Sequence, residues 1–323
     1  QGCVERRGNH LSFTLESTVT AAPSCATILL GYDDVASINY FGALCRCWYM
    51  RNGKSIIDAL MELDSRHDKL QEACRTILPS DDFKREFEDL LKHYVGRPSP
   101  LYHAKRLSEK YGCKVATPDG EMAFLSKEND SNGCIGTVDV SYPSIPLFLK
   151  YCPELVNALC RPVIHFSQLP VWEFDFAPHD VGRYPHAIGQ VYAARQRCAN
   201  GYVYPPFYLY PAGTNVYDFS YQMPVEECGN MLIMLESAIS FGASPKLVES
   251  CLPLLAKWVR YLDEFGEDPG EQLCTDDFAG HLNRNINLAA KAIVGIACYS
   301  RMMKRIGRHE EAQKWNVRAH AMA

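Results

Sequence analysis

Four acidic stretches carry the residue types that could do chemistry in this chain, and three of them are marked by proline. They are Thr137-Val-Asp-Val-Ser-Tyr-Pro143, Asp175-Phe-Ala-Pro-His-Asp180, Met223-Pro-Val-Glu-Glu-Cys-Gly-Asn230 and Thr275-Asp-Asp-Phe-Ala-Gly-His281. Hydrolysis of a neutral carbonyl or acetal needs one carboxylate to take a proton from water and a protonated partner to give one to the leaving group. Two acids from different loops can be driven apart in pKa by burial and mutual repulsion. Asp180, Glu227 and Asp277 are the leading candidates, with Glu227 or Asp277 as base and Asp180 as acid. Asp139, Tyr142, Asp175, His179, Arg183, Glu226, Asn230, Asp276 and His281 are candidates to bind substrate around them. His179 and His281 could orient a carboxylate or carry a proton, and Arg183 and Lys291 could bind a substrate carboxylate or pair the acids. A carboxylate at a helix start also caps backbone N–H groups. Capping explains one acid per loop but explains the doublets Glu226/Glu227 and Asp276/Asp277 poorly, because adjacent helical residues point about 100° apart.

From Asp139 through Asp180 and Glu227 to Asp277 the steps are 41, 47 and 50 residues. Periods of that size mark a repeating supersecondary unit, here one helical hairpin. If hairpins pack side by side, their acidic loops gather on one rim. Helical spacing is expected over residues 33–48, 55–78, 81–94, 101–111, 144–166, 185–196, 224–241, 245–265, 282–306 and 309–323. Extended segments are expected in the first thirty residues, at Leu11 to Leu15 and Ala26 to Leu30, and on both sides of the Thr117-Pro-Asp-Gly120 turn. Six aromatics between Tyr202 and Tyr217 wall a pocket or pack over a hydrophobic rim.

Bulk properties remove several classes. The chain has 323 residues, 47% of them apolar, and a net charge of −5 without a basic patch, which disfavours nucleic acid and anionic membrane as partners. No apolar run approaches the length of a membrane span. The fourteen cysteines follow neither a disulfide nor a zinc spacing. Those in apolar helical stretches, Cys160, Cys228, Cys251 and Cys298, are expected to be small buried hydrophobes. Serine-nucleophile elbows, His-Glu-x-x-His, phosphate loops and dinucleotide fingerprints are missing from the sequence. No cofactor or metal is expected; calcium suits carboxylates and loop carbonyls, but no loop has EF-hand spacing.

Longer strings carry a family resemblance. Gly31-Tyr-Asp-Asp-Val-Ala-Ser-Ile-Asn-Tyr-Phe-Gly42, Phe124-Leu-Ser-Lys-Glu-Asn129, Ser131-Asn-Gly-Cys-Ile-Gly-Thr-Val-Asp139 and Ala177-Pro-His-Asp-Val-Gly182 resemble the glutaminase A family. So do Met223-Pro-Val-Glu-Glu-Cys-Gly-Asn-Met231 and Gln272-Leu-Cys-Thr-Asp-Asp-Phe-Ala-Gly-His281. The resemblance implies a mainly α fold, an incomplete (α/α)6 six-hairpin toroid preceded by the last strands of a β-sandwich-like domain. Residues 1–32 would be the tail of that β-rich domain, and residues 33–323 a toroid domain truncated at its C-terminus. It further implies a secreted or periplasmic hydrolase, with a cytoplasmic location as the alternative, converting glutamine to glutamate and ammonia. A six-hairpin glycosidase acting on carbohydrate is the second reading, with glutamine or sugar as the small-molecule substrate. A non-catalytic helical-repeat scaffold is the third, suggested by the tetratricopeptide-like Tyr299-Ser-Arg-Met-Met-Lys-Arg-Ile-Gly. A step of 41 to 50 residues is too long for that repeat.

Overall fold

A computed structural model describes residues 2–7, 10–15, 36–59, 61–62, 113–128, 133–195, 204–275 and 280–323. The helices expected over 81–94 and 101–111, most of the one expected over 55–78, the strand at Ala26 to Leu30, and Asp276 and Asp277 lie outside these residues. Contacts divide the chain into two compact units, Gln1–Asp33 and Asp34–Ala323. In the first, β1 (Gly2–Arg7) pairs antiparallel with β2 (His10–Leu15). The alternation of Leu11, Phe13 and Leu15 identifies β2 from sequence; β1 has no such alternation.

The second unit is mainly helical. Its described helices are α1 (Val138–Ser141), α2 (Ile145–Tyr151), α3 (Glu154–Ser167), α4 (Pro224–Ser240), α5 (Lys246–Ser250), α6 (Leu252–Phe265), α7 (Ile286–Arg305) and α8 (His309–Met322). Two long helices expected from sequence, over 144–166 and 245–265, are each broken in two. Cys152 leaves the helical region (φ −160°, ψ 79°) just before Pro153, separating α2 from α3. Cys251 does the same (φ −127°, ψ 21°) two residues before Pro253, separating α5 from α6. In both places the proline ring lacks the N–H that would continue the preceding helix.

Helix α4 is the centre of the unit. Pro224 opens it, where a missing N–H costs nothing, and Glu226 and Glu227 occupy its first turn, where acids suit the helix dipole. Val225, Cys228, Met231, Leu232, Met234, Leu235 and Ala238 are all buried, so the helix is enclosed nearly all round. It packs most extensively on α7 and also touches α3 and α6. Two glycines permit the close α4–α7 crossing: a Cβ on Gly295 would lie 3.2 Å from the Gly229 Cα, and one on Gly229 would lie 2.6 Å from the Lys291 Cγ. Trp258 and Tyr299 fill the core beside them, and Cys160, Cys228, Cys251 and Cys298 are buried free thiols as expected. Among the described residues, no helix is long and apolar enough to cross a membrane.

Two segments expected to be helical are strands and turns instead. Residues 38–45 form a hairpin, β3 (Ile38–Tyr40) and β4 (Ala43–Cys45), turning at Phe41 (φ 46°) and Gly42 (φ 89°). Left-handed conformation at both central residues matches the twist of paired strands and ends any helix. Beyond them, β5 (Cys113–Ala116) and β6 (Met122–Leu125) pair across the expected Thr117–Gly120 turn. The segment 185–196 is not helical over its described residues, because its amides are drawn elsewhere. There β7 (Gly182–Arg183) and β8 (His186–Ala187) form a tight hairpin, and β8 runs parallel to β3. The aromatic stretch serves mainly packing: Phe207 and Tyr217 are buried, and the Tyr217 hydroxyl donates to the Gln190 carbonyl at 2.8 Å.

Gly182 has φ 148°, and a Cβ there would collide with the His186 carbonyl oxygen. Backbone cannot yield as a side chain can, so Gly182→Ala should destabilise the protein by about 2 kcal/mol or more. Urea denaturation of wild type and variant measures this; a difference below ~0.5 kcal/mol would contradict it.

Candidate active site

Asp180 is fully buried and its two oxygens meet four donors. Oδ1 accepts from the Gly182 and Val191 amides, both at 2.9 Å; Oδ2 accepts from the Tyr192 amide at 3.1 Å and faces His179 Nδ1 at 3.0 Å. The carboxylate therefore does for a loop what a capping acid does for a helix start. With both oxygens engaged by donors, its geometry suits a positioning group and not the acid expected from sequence. The loop is further pinned by Gln190, whose side-chain oxygen accepts from the His179 amide at 2.7 Å and whose nitrogen donates to Gln222 at 2.8 Å.

His179, so held, presents Nε2 to Asp139 Oδ1 at 3.5 Å, and the Tyr192 ring stacks on it at 4.3 Å between centroids. Asp139 sits in the first turn of α1, tied to the same loop by the Val138 amide, which donates to the His179 carbonyl at 2.8 Å. From the other side α4 delivers Glu227. One ligand atom from each of Asp139, His179 and Glu227 lies within 4.8 Å of the others, and all three residues are buried. Asp139 Oδ1 and Glu227 Oε1 have no hydrogen-bond partner, while Glu227 Oε2 accepts from Asn230 Nδ2 at 3.2 Å.

Burial and the neighbouring charges of Asp139 and Glu226 push the Glu227 carboxyl well above its ordinary range. Asp139 is also raised by burial, against the opposing charge of His179. For His179, burial lowers the pKa, but the bond to Asp180 and the charge of Asp139 outweigh it, and the net shift is upward.

Glu226, the other member of its doublet, points to a separate partner. It is paired with the Lys291 ammonium, which reaches across the α4–α7 crossing, and it accepts from Asn230 Nδ2 and the Thr275 amide, both at 3.4 Å. Lys291 Nζ also lies 4.8 Å from the Tyr142 ring centroid. Asp139, Tyr142, His179, Glu226, Glu227, Asn230 and Lys291 thus form one cluster.

Three expected residues lie apart from it. Asp175 is exposed and pairs with Lys257 at 3.1 Å. His281 faces Glu271 at 3.7 Å. Arg183 lines a neighbouring cavity of about 610 Å³ with Tyr192, Arg195, Tyr204 and Tyr221. Sequence reading missed Gln190, Gln222 and Tyr192, whose roles depend on loop geometry that no spacing announces.

A model of the glutaminase A six helical-hairpin domain matches residues 110–323. The chain belongs to this family. It is 33% identical over 199 residues to Glutaminase A of Aspergillus oryzae, covering 61% of this chain and 25% of the relative. Against a probable glutaminase of Arthroderma benhamiae it is 30% identical over 252 residues, covering 60% and 26%. The chain therefore spans about a quarter of the length of these glutaminases. A shorter likeness, 60% identity over 48 residues, joins 15% of the chain to 12% of a tryptophan synthase beta chain of Bacteroides fragilis. The mainly α, six-hairpin fold expected from sequence holds.

Asp180→Asn replaces an acceptor oxygen by an amide nitrogen facing donors. It should lower stability by about 3 kcal/mol, as breaking a buried charge network does. Denaturation midpoints test this; a loss below ~1 kcal/mol would mean that the loop is held without the carboxylate.

Proposed function

We propose that the chain carries the reaction centre of an amide hydrolase that converts glutamine to glutamate and ammonia. The observation that carries this reading is the convergence of Asp139, His179 and Glu227 with two buried carboxylate oxygens left unpartnered. An unpartnered carboxylate oxygen in a buried site is a base waiting for a proton donor, and a water admitted between the three residues would supply one. Water attacks the amide carbon, its proton passes to the Asp139/Glu227 pair, and the same pair returns a proton to the departing nitrogen. His179, fixed by Asp180, faces Asp139 and steadies the negative charge that returns to the pair when it gives up its proton to the nitrogen. The sequence-based pairing is thereby revised: Glu227 stays, Asp139 replaces Asp180 as its partner, and Asp180 orients the histidine. The relatives' names support glutamine over other amides. So does the Glu226–Lys291 pair, which offers a carboxylate to the ammonium and an ammonium to the carboxylate of a free amino acid.

A six-hairpin glycosidase remains the second reading, favoured by one observation. Oxygens of Asp139 and Glu227 within 4.8 Å of each other are close to the roughly 5 Å spacing of retaining glycosidases.

Full-length protein assayed for ammonia release from glutamine, beside a panel of aryl glycosides, separates the two. Asp139→Asn and Glu227→Gln should each lower kcat/KM for glutamine by about 100-fold or more, with the fold intact by circular dichroism. Ammonia release that survives both substitutions would remove these residues from the mechanism, and sugar turnover without ammonia would reverse the ranking.

Lys291→Met keeps the stem over Gly229 and removes only the charge. The KM for glutamine should rise about 10-fold, with kcat changed far less, because the interaction is made equally in ground and transition states. An unchanged KM would leave Lys291 as a partner for Glu226 alone.

A further inference from the structure

We propose that Asp139, His179 and Glu227 bind one divalent transition-metal ion. Three donors sharing an ion at the usual bond lengths of about 2.0–2.2 Å stand roughly 3–4 Å from one another. Their ligand atoms already lie within 4.8 Å, so small side-chain movements close the set. The independent sign of a ligand is what the protein leaves unsatisfied. Glu227 is 0% exposed and Asp139 7%, yet Oε1 of the first and Oδ1 of the second have no hydrogen-bond partner. Buried polar atoms are rarely abandoned in this way, and two of them beside an imidazole make the donor set of a cation site.

The surrounding contacts fit the same ligand. His179 Nδ1 faces Asp180 Oδ2 at 3.0 Å, which places the proton on Nδ1 and leaves the Nε2 lone pair directed at the cluster. Asp180 is itself fixed by three backbone amides. On the opposite side Asn230 holds Glu227 by its other oxygen at 3.2 Å, leaving Oε1 to ligate. This carboxylate–histidine–metal arrangement is the usual support of a catalytic ion. Its donor set also selects among ions. One imidazole nitrogen with two carboxylates suits zinc or manganese, whereas calcium requires six to eight oxygens.

The inference rests on the same residues as the proposed glutaminase centre, and it is tested without turnover. With an ion held there, the two carboxylates would serve as its ligands and the ion would polarise the attacking water in place of their direct proton transfer. Full-length protein is stripped with a chelator, dialysed against Zn²⁺, Mn²⁺ or Ca²⁺, and its metal content measured. About one equivalent of Zn²⁺ or Mn²⁺ per chain is expected, lost in both Asp139→Asn and Glu227→Gln. If either variant fails to fold, the other is read together with Co²⁺ substitution in wild type, whose visible absorption should report a site of mixed nitrogen and oxygen donors. Absence of a stoichiometric ion, preference for Ca²⁺, or retention of the ion by the folded variants would overturn the proposal. Ammonia release by metal-free protein that binds no ion would leave the glutaminase reading standing alone. Stoichiometric ion without ammonia release would sustain the metal site and sink that reading.

Discussion

The whole centre hangs on one carboxylate whose two oxygens are both engaged by donors. Asp180 collects three backbone amides and an imidazole nitrogen onto two oxygens in a buried environment, where such charge-assisted bonds are strong. Those bonds decide the path of the chain from Gly182 to Tyr192. They turn a segment with helical spacing into a hairpin and a loop, and they aim His179. Because the Val138 amide binds the His179 carbonyl, the same bonds set the position of Asp139 on α1.

The opposite half of the centre is built by helix packing. Enclosure of α4 fixes Glu227 in depth, and the Gly229–Gly295 contact fixes how closely α7 approaches. Were either glycine larger, the helices would separate and Lys291 would no longer reach Glu226. The doublet Glu226/Glu227 is thereby divided between two tasks: one acid is answered by Lys291, and the other is left facing Asp139 and His179. A helix makes this division automatic, since neighbouring residues leave it in directions about 100° apart.

How far this was legible in the sequence follows from what each residue depends on. Helix α4 could be read because Pro224, the two glutamates and the apolar run are local signals, and the family strings named the fold. Glu227 could be singled out because capping does not need two acids. The role of Asp180 could not be read, since its partners are backbone groups up to 12 residues away and any acid in a loop looks alike before the loop is folded. The hairpin at 38–45 was hidden for a related reason: its strands are only three residues long, too short for alternation to outweigh a helical pattern. Asp139 was visible as a polar loop residue, but its standing beside Glu227 depends on a contact between positions 88 residues apart in sequence.

Both halves bury acidic side chains, and this is the feature that most demands a partner. Asp139, Asp180, Glu226 and Glu227 are all buried; Lys291 brings positive charge to Glu226, and the His179 ring lies between Asp139 and Asp180. Asp180 is answered by donors and Glu226 by Lys291. The remaining two carboxylates share one histidine, and each keeps an oxygen without a hydrogen bond. In a medium of low polarity such a pair holds protons or a cation. Either occupant serves hydrolysis: a proton can be delivered to a leaving nitrogen, and a cation can sharpen a water for attack. A merely structural cluster would gain more from hydrophobic side chains of the same size, and this is the physical argument behind the proposed reaction.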